Sequence, residues 1–285
     1  MFLKICIAGN FNIAINGARH ILNKYKDCQF FAVINKSDFG SNSWQPSYKK
    51  FCKQNGIKIL SLNDCYSIKN LIFISLHFDK IIKTKNFKSK KLFNLHFSLL
   101  PSYKGMHTAV FPILNGEKYS GVTIHKIDDG IDTGDIIAQK KFKIHINDTA
   151  KDLFLKYIHN GNQLFKKTIN SLINNNYNFY PQTSVESSYF NKASIDFSNI
   201  TININKTAFE VHNQIRAFAF EEFQLPMVMG YKILKSKITS KKSKLKPGEI
   251  VFNKPKSIQI ATIDYDILFF KKSINGGTRV VPETF

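Results

Sequence analysis

Short apolar runs alternate with longer mixed segments through the first half of the chain. Five of these runs have the length and the β-branched or aromatic content of buried strands: 3–9, 29–34, 57–60, 70–76 and 91–97. A helix is predicted to follow the first strand and to run through about 20–26, and a second is predicted at 48–56, ending at Gly56. Strands that alternate with helices predict a parallel sheet covered by helices, the Rossmann-like arrangement.

The pattern changes after residue 120. Residues 120–127 and 136–144 alternate apolar and polar positions with a period of two, so they predict an antiparallel pair joined by the turn 128–135. Asp148 is predicted to cap a long amphipathic helix over about 149–175 with one buried stripe. We expect this helix to close the first domain.

A polar stretch at 174–188, rich in Asn, Ser, Pro and Gln, is predicted to be a linker. A helix at 207–220 and several strand-like runs follow it, and the Lys- and Ser-rich stretch 236–246 is predicted to be an exposed hairpin or loop. The sequence therefore predicts an α/β protein with a Rossmann-like domain over 1–180. A small β-rich C-terminal domain over 189–285 would serve substrate binding, dimerisation or both.

Length and composition narrow the class of protein. The chain has 285 residues, 43% of them hydrophobic, and no apolar run near the roughly 20 residues of a membrane span. Asn and Gly interrupt the apolar N-terminus, so we expect a first strand rather than a signal peptide, a cytoplasmic protein and no membrane partner. Four separate cysteines have neither zinc-site nor disulfide-framework spacing, so no metal is expected. Gly9 and Gly17 do not form GxGxxG, so NAD is not expected.

The net charge of +21 raises nucleic acid as a partner, because Lys and Arg that neutralise phosphates release counterions on binding. Only Arg19, Arg216 and Arg279 are arginines, and the lysines are spread along a chain that is also rich in Asn and Ile. We interpret the charge as a compositional bias that makes nucleic acid an unfavoured partner. A dedicated polyanion surface is the open alternative.

Candidate chemistry lies in residues 93–105 and 121–135. Asn94 and His96 are two apart on a predicted strand, so their side chains share a face at its carboxyl end. Asn94 offers an N–H to a carbonyl oxygen that becomes negative, and His96 can accept a proton or hold that oxygen. Asp132, in a Gly-bracketed turn, can orient and charge-balance the imidazole, so the three have the parts for acyl transfer to an amine. Surface or structural roles are expected for three other histidines: His107, His125 and His145.

These segments resemble the folate-dependent formyltransferases, whose shared motif is Asn-x-His followed by SLLP and a later Asp-Thr-Gly turn. The motif appears here as NLHFSLLPSYKG at 94–105 and GVTIHKIDDGIDTGDII at 121–137. The likeness covers about 1–175 and is looser in the second domain. Within the family, the sequence is most similar to the sugar N-formyltransferases that act on dTDP-linked 4-amino-4,6-dideoxyhexoses.

The resemblance implies that Asn94, His96 and Asp132 are the catalytic trio. It implies direct transfer of a formyl group from 10-formyltetrahydrofolate to the amine of a dTDP-4-amino-4,6-dideoxyhexose, in the first instance the glucose form. It further implies a homodimer that acts in O-antigen or surface-polysaccharide biosynthesis. Which of His96 and Asp132 is the base stays open.

The resemblance also implies where the two ligands bind. The folate is expected at the loop after the fourth strand and at the acidic turn, through Leu76, His77, Phe78, Asp128, Gly130 and Ile131. Related enzymes often carry an acidic residue where this chain has His77. Cationic, aromatic and amide side chains suit the diphosphate, thymine and a base edge of the nucleotide sugar: Lys104, Arg216, Phe218, Phe220, Phe223 and Gln224.

Two other functions stay open. A methionyl-tRNA formyltransferase would suit the net charge. Three features oppose it: the scarcity of Arg, the roughly 100 residues left after the first domain, and the sequence HFS at 96–98, where tRNA formyltransferases more often have HAS. A non-catalytic basic RNA-binding protein would make Asn94 and His96 incidental.

Overall fold

The computed structural model describes residues 2–273 and contains two compact units, one ending at Ile195 and one beginning at Asp196. The first unit contains nine strands, numbered in chain order: β1 (Lys4–Gly9), β2 (Gln29–Ile34), β3 (Lys58–Ile59), β4 (Leu71–Leu76), β5 (Leu92–His96), β6 (Lys104–Gly105), β7 (Tyr119–Lys126), β8 (Ile136–Lys143) and β9 (Tyr189–Phe190). Seven of them form one sheet in the order β3-β2-β1-β4-β5-β7-β8, and β6 pairs with β9 separately.

The main sheet is parallel from β1 to β5, and β7 and β8 are antiparallel to their neighbours. These strands agree with the predicted ones to within one or two residues, and the α/β, Rossmann-like class is confirmed. β4 is buried along its whole length, as expected for a strand covered on both faces.

Five helices belong to the first unit: α1 (Phe11–Lys24), α2 (Tyr48–Gln54), α3 (Leu62–Tyr66), α4 (Phe111–Leu114) and α5 (Ala150–Ile173). The first helix, predicted to follow the first strand and run through about 20–26, begins at Phe11, after the N-cap residue Asn10, and ends at Lys24. The Asn and Gly residues of this segment obscure its apolar spacing. Gly17 is needed here, since a Cβ would lie only 2.6 Å from Cδ1 of Leu76 on the sheet below.

The long helix α5 is present as predicted, but its cap differs by one residue. Thr149 is the N-cap, and it forms a capping box with Asp152. Asp148, the predicted cap, instead accepts a hydrogen bond from the backbone N–H of His145 and pairs with Lys156.

The stretch 174–188, predicted to be a linker, lies within the first unit and hydrogen-bonds to it. Tyr180 forms a β-bridge with Ile136, and the Gln182 side chain donates to the carbonyl oxygens of Asp132 and Gly134, each at 2.8 Å. These two hydrogen bonds hold the backbone of the acidic turn, residues 128–135, in place.

The second unit has one helix and an antiparallel sheet, as predicted. The helix is α6 (Ala208–Phe218), and the strands are β10 (Met227–Val228), β11 (Tyr231–Lys242), β12 (Ile250–Lys254), β13 (Ser257–Ile260) and β14 (Tyr265–Lys271). The sheet order is β10-β11-β14-β13-β12. The prediction of a hairpin or loop over 236–246 was wrong for its first part, because β11 continues to Lys242. Its inner positions Ile233 and Ser236 are buried, and its lysines lie mostly on the other face.

Tyr157 connects α5 to the end of the sheet. Its ring is fully buried and stacks on Phe97, with centroids 5.2 Å apart and an interplanar angle of 11°. Its hydroxyl donates to the carbonyl of Thr108 at 2.9 Å and accepts from the Ser120 hydroxyl at 2.7 Å. Since Phe97 follows His96 directly, this contact fixes the chain beside the candidate catalytic residues.

We expect Tyr157→Phe to lower the free energy of unfolding by about 1–3 kcal/mol, because the buried Ser120 hydroxyl and Thr108 carbonyl each lose a partner. Urea unfolding measures the change. Tyr119→Phe is the matched control. Tyr119 is half-exposed, so this variant should change the free energy of unfolding by no more than about 0.5 kcal/mol. Equal losses in the two variants would contradict the role assigned to the buried hydroxyl.

Candidate active site

The polar residues predicted on β5 lie at the carboxyl end of the parallel part of the sheet. In the antiparallel pairing with β7, Asn94 is directly opposite His125 and His96 is opposite Thr123. Residues opposite each other in such a pair project from the same face, so Asn94 and His125 are neighbours. The turn after β7 brings Asp132 over them, with a left-handed φ of 54°.

Asp132 is the centre of a compact hydrogen-bonding network. Its Oδ1 accepts from Asn94 Nδ2 at 3.1 Å and lies 3.4 Å from His125 Nε2. Its Oδ2 accepts from the backbone N–H of Gly105 at 2.9 Å and lies 3.4 Å from His96 Nδ1. The structure therefore brings the three predicted catalytic residues together, with His125 as a fourth member.

The environment keeps Asp132 ionised. Burial by itself would raise the pKa of this carboxyl group, but the adjacent His96 and His125 and the N–H of Gly105 outweigh that effect and hold its pKa well below the ordinary value. At neutral pH the site therefore contains a nearly buried carboxylate between two imidazoles.

The hydrogen bonds of His96 define the position of its ring protons. Nε2 lies 2.8 Å from the carbonyl oxygen of Tyr103, which can only accept, so Nε2 carries a hydrogen. Nδ1 then faces the Asp132 carboxylate, which stabilises a proton placed there. His96 is thus oriented between a fixed carbonyl and a fixed charge.

A surface or structural role was expected for His125 from the sequence, and the structure excludes the surface alternative. The ring is only 2% exposed and contacts both Asn94 and Asp132. The signal that would have found it is register: once 120–127 is paired antiparallel with 91–97, the residue opposite Asn94 is His125.

A cavity of about 560 Å³ adjoins this network. Its walls include most of the predicted folate-binding residues: His77, Phe78, Asp128, Gly130 and Ile131. Leu76 is fully buried under α1, so its side chain does not line the cavity. Asp128 holds the turn together by accepting from the backbone N–H of Gly130 at 3.2 Å and from the Thr133 hydroxyl.

Two buried polar atoms in the cavity wall have no hydrogen-bond partner within residues 2–273. They are Asn35 Oδ1 and His77 Nδ1. The amide of Asn35 is oriented by its own Nδ2, which donates to the His77 carbonyl at 3.1 Å. Burial lowers the pKa of His77 to about 4, so this ring is neutral at pH 7. The residues Asn35 and His77 therefore contribute uncharged polar side chains to the wall, each with one atom that lacks a hydrogen-bond partner in the described part of the chain.

Aromatic side chains from four segments surround His77, and sequence reasoning missed them. Phe11, Phe97 and Phe154 lie with ring centroids 5.4–5.7 Å from the His77 ring. Trp44 contacts Phe11 and Phe154 at 5.4 Å. No spacing in the sequence connects these segments, so only the fold reveals the cluster.

The predicted nucleotide-sugar residues fall in two places. In the first unit, Lys104 donates to the Ser187 hydroxyl at 3.0 Å. In the second unit, the Arg216 side chain is 4% exposed and donates to Asn213, and Phe220 is also buried. Phe218 and Gln224 are partly buried, whereas Phe223 is exposed. A role for these residues in binding the nucleotide stays a prediction.

Two further searches cover the described part of the chain. Between residues 2 and 273, no group of three or more His, Cys, Asp or Glu residues has the geometry to hold a metal ion. No helix in the same range is both long and apolar enough to cross a membrane.

Comparison with known proteins gives consistent matches. Residues 73–169 match the formyl transferase family, and residues 195–285 match the formyl transferase C-terminal domain. A solved N-formyltransferase from Helicobacter canadensis, in complex with folinic acid and dTDP-3-aminofucose, is 45% identical with a TM-score of 0.89, covering 95% of this chain and all of that one. WlaRD, a sugar 3N-formyl transferase solved with dTDP and 5-N-formyl-THF, is 47% identical with a TM-score of 0.90, covering 97% of this chain and all of that one.

Curated relatives include the methionyl-tRNA formyltransferase of Clostridium tetani, which is 36% identical over 63% of this chain. The match spans only 57% of that enzyme, so the chain covers little more than half the length of this relative. By contrast, the matches to the two solved structures cover the full length of those chains, at 45% and 47% identity. The chain belongs to the folate-dependent formyltransferase family.

Proposed function

We propose that this protein is a sugar N-formyltransferase that transfers the formyl group of 10-formyltetrahydrofolate to the amine of a dTDP-linked amino-dideoxyhexose. The observation that carries the proposal is the buried carboxylate network of Asn94, His96 and Asp132 at the wall of the cavity. Full-length likeness to two sugar N-formyltransferases supports the acceptor class.

The position of the amine is the finer part of the proposal. The sequence analysis favoured a 4-amino sugar, dTDP-4-amino-4,6-dideoxyglucose. The two relatives at 45% and 47% identity are a complex with dTDP-3-aminofucose and a 3N-formyl transferase. We therefore take a dTDP-3-amino-3,6-dideoxyhexose as the first acceptor and the 4-amino sugar as the second. The O-antigen role, the homodimer and the cytoplasmic location stay predictions.

The residues of this chain suit the chemistry of such a transfer. The folate derivative supplies an activated formyl carbon. A bond forms from the acceptor nitrogen to that carbon, the bond to the folate nitrogen breaks, and one proton passes from the first nitrogen to the second. The ionised Asp132 stabilises a proton on His96, and that imidazole can stabilise the formyl oxygen as it becomes negative.

Asn94 contributes a donor that must change partner. Its two amide hydrogens are directed to Asp132 and His125. An oxyanion is a stronger acceptor than an imidazole nitrogen. One N–H can therefore give up its hydrogen bond to His125 and donate to the formyl oxygen, while the other keeps its hydrogen bond to Asp132.

A methionyl-tRNA formyltransferase is the second candidate, supported by the Clostridium tetani relative and by the charge of +21. A non-catalytic RNA-binding protein is disfavoured, because a nearly buried carboxylate between two histidines is costly to desolvate and has no use in binding phosphate.

The acceptor is tested by formyl transfer to four purified substrates: a dTDP-3-amino sugar, dTDP-4-amino-4,6-dideoxyglucose, dTDP-4-amino-4,6-dideoxygalactose and methionyl-tRNA. We expect the 3-amino sugar to give the largest kcat/KM, and dTDP alone to raise Tm in a saturable way. Turnover of tRNA alone, with an affinity that falls steeply with salt, would establish the second candidate instead.

We expect His96→Asn and Asp132→Asn each to lower kcat by about 100-fold or more, because each removes stabilisation of the charge that develops during transfer. Initial rates with the preferred acceptor measure this. His159→Asn, on the exposed face of α5, is the control and should keep full activity. A loss of less than about tenfold in both site variants would remove them from the chemistry.

His77 predicts a pH dependence of stability. Its folded pKa of about 4 lies below the unfolded value of about 6.5, so the unfolded chain binds more protons between these values. Stability is therefore fully present above about pH 6.5 and is lost as the pH falls toward 4. We expect Tm to fall less between pH 7 and pH 5 in His77→Gln than in wild type, as measured by thermal unfolding. Parallel curves would show that His77 titrates normally.

A further inference from the structure

His125 lies opposite Asn94 at a break in the sheet. The pairing of β7 with β8 shifts register between Ile124 and His125, which marks a bulge. The extra residue, Ile137, lies on β8, and the register of β7 with β5 stays regular. His125, which is 2% exposed, therefore projects from the same face of the sheet as Asn94 and contacts Asn94 and Asp132.

The tautomer of His125 follows from its hydrogen bonds. Nδ1 lies 2.7 Å from the carbonyl oxygen of Lys126, so Nδ1 carries the hydrogen. With the hydrogen on Nδ1, Nε2 presents a lone pair, and Asn94 Nδ2 lies 3.1 Å from it. The same Nε2 lies 3.4 Å from Asp132 Oδ1. The imidazole acts as an acceptor toward the Asn94 amide.

The Asn94 carboxamide is thus held at two points. One hydrogen of Nδ2 is directed to Asp132 Oδ1 at 3.1 Å and the other to His125 Nε2 at 3.1 Å. The reversed amide would place its oxygen against both the carboxylate and the imidazole lone pair, which is repulsive. If Asp132 were the sole partner of the carboxamide, this orientation would still be preferred, but the group would rotate more freely about χ2.

We propose that His125 is a positioning residue for formyl transfer. Its Nε2 accepts a hydrogen bond from Asn94 and holds that amide in the orientation from which an N–H can donate a hydrogen bond to the formyl oxygen. The inference rests on the proposed function. His125 acts through Asn94, and an oxyanion displaces its acceptor nitrogen from the Asn94 amide more readily than it displaces the Asp132 carboxylate.

Three variants test the acceptor nitrogen. In His125→Gln the side-chain oxygen can occupy the place of Nε2, whereas His125→Asn is too short to reach Asn94, and His125→Leu fills the space without any acceptor. We expect the Leu and Asn variants to lower kcat by about 10- to 100-fold, with KM for the acceptor within about threefold of wild type. The Gln variant should recover most of kcat. His212→Leu, at a buried histidine of the second unit that hydrogen-bonds to Ser236, controls for loss of stability alone.

An unchanged or increased kcat in a folded His125→Leu protein would overturn the proposal, as would equal losses in the Gln and Leu variants. A second readout does not need turnover: NMR hydrogen exchange of the two Asn94 side-chain amide protons. Both should exchange slowly in wild type and His125→Gln, and one should exchange faster in His125→Leu. If wild type formylates none of the tested acceptors, the proposed function fails, while the exchange rates still decide whether His125 holds Asn94.

Discussion

The site depends on one electrostatic constraint, the nearly buried carboxylate of Asp132. A carboxylate removed from water is stable only if hydrogen-bond donors and positive charge replace its hydration. This chain supplies them from two separate segments: β5, through Asn94 and His96, and the backbone at Gly105. Gln182, from a third segment, holds the backbone of the turn in place. Because the donors are distant in sequence, the carboxylate can exist in this form only when the fold is complete.

Several residues around the cavity have left-handed backbone conformations, and two of them, Tyr103 and Asp132, belong to the carboxylate network. Asp132, Tyr103, His77 and His107 all have φ between 54° and 62°, which is uncommon for residues with a side chain. Tyr103 turns its carbonyl toward His96 Nε2, and Asp132 turns its carboxylate toward the sheet. Each conformation is unfavourable by itself by roughly 1 kcal/mol or more, so packing and hydrogen bonds elsewhere must maintain it. The core beneath, with β4 and Tyr157 fully buried, provides that rigidity.

The sequence predicted what local periodicity and short motifs can carry. All seven strands of the main sheet and the long helix were predicted nearly at their bounds, because their apolar patterns are regular. Asn94 and His96 were placed on one face by the two-residue spacing alone. The start of α1 was not predicted, because Asn and Gly interrupt its pattern. The continuation of β11 was missed because its exposed lysines make the segment resemble a loop, and its buried positions 233 and 236 do not follow a period of two.

His125 and the aromatic cluster around His77 could not be found in this way. Both arise from contacts between segments far apart in the chain, and neither has a motif of its own. For His125 the missing information was strand register, which a sequence indicates only after the pairing partner is known. For the aromatic cluster even register would not suffice, since Trp44 lies in a loop between elements.

Net charge does not separate the two candidate acceptors. A dTDP sugar and a tRNA are both polyanions, and the folate donor is also anionic, so a field of +21 attracts all of them and mainly affects encounter rates. The cavity wall combines charged side chains of both signs, among them Asp128, Asp132 and Lys192, with uncharged ones such as Asn35 and the neutral His77. Discrimination must therefore come from short-range fit at this wall, where fixed groups distinguish ligands by the position of donors and acceptors rather than by total charge. The position of the amine on the sugar is a difference of this kind.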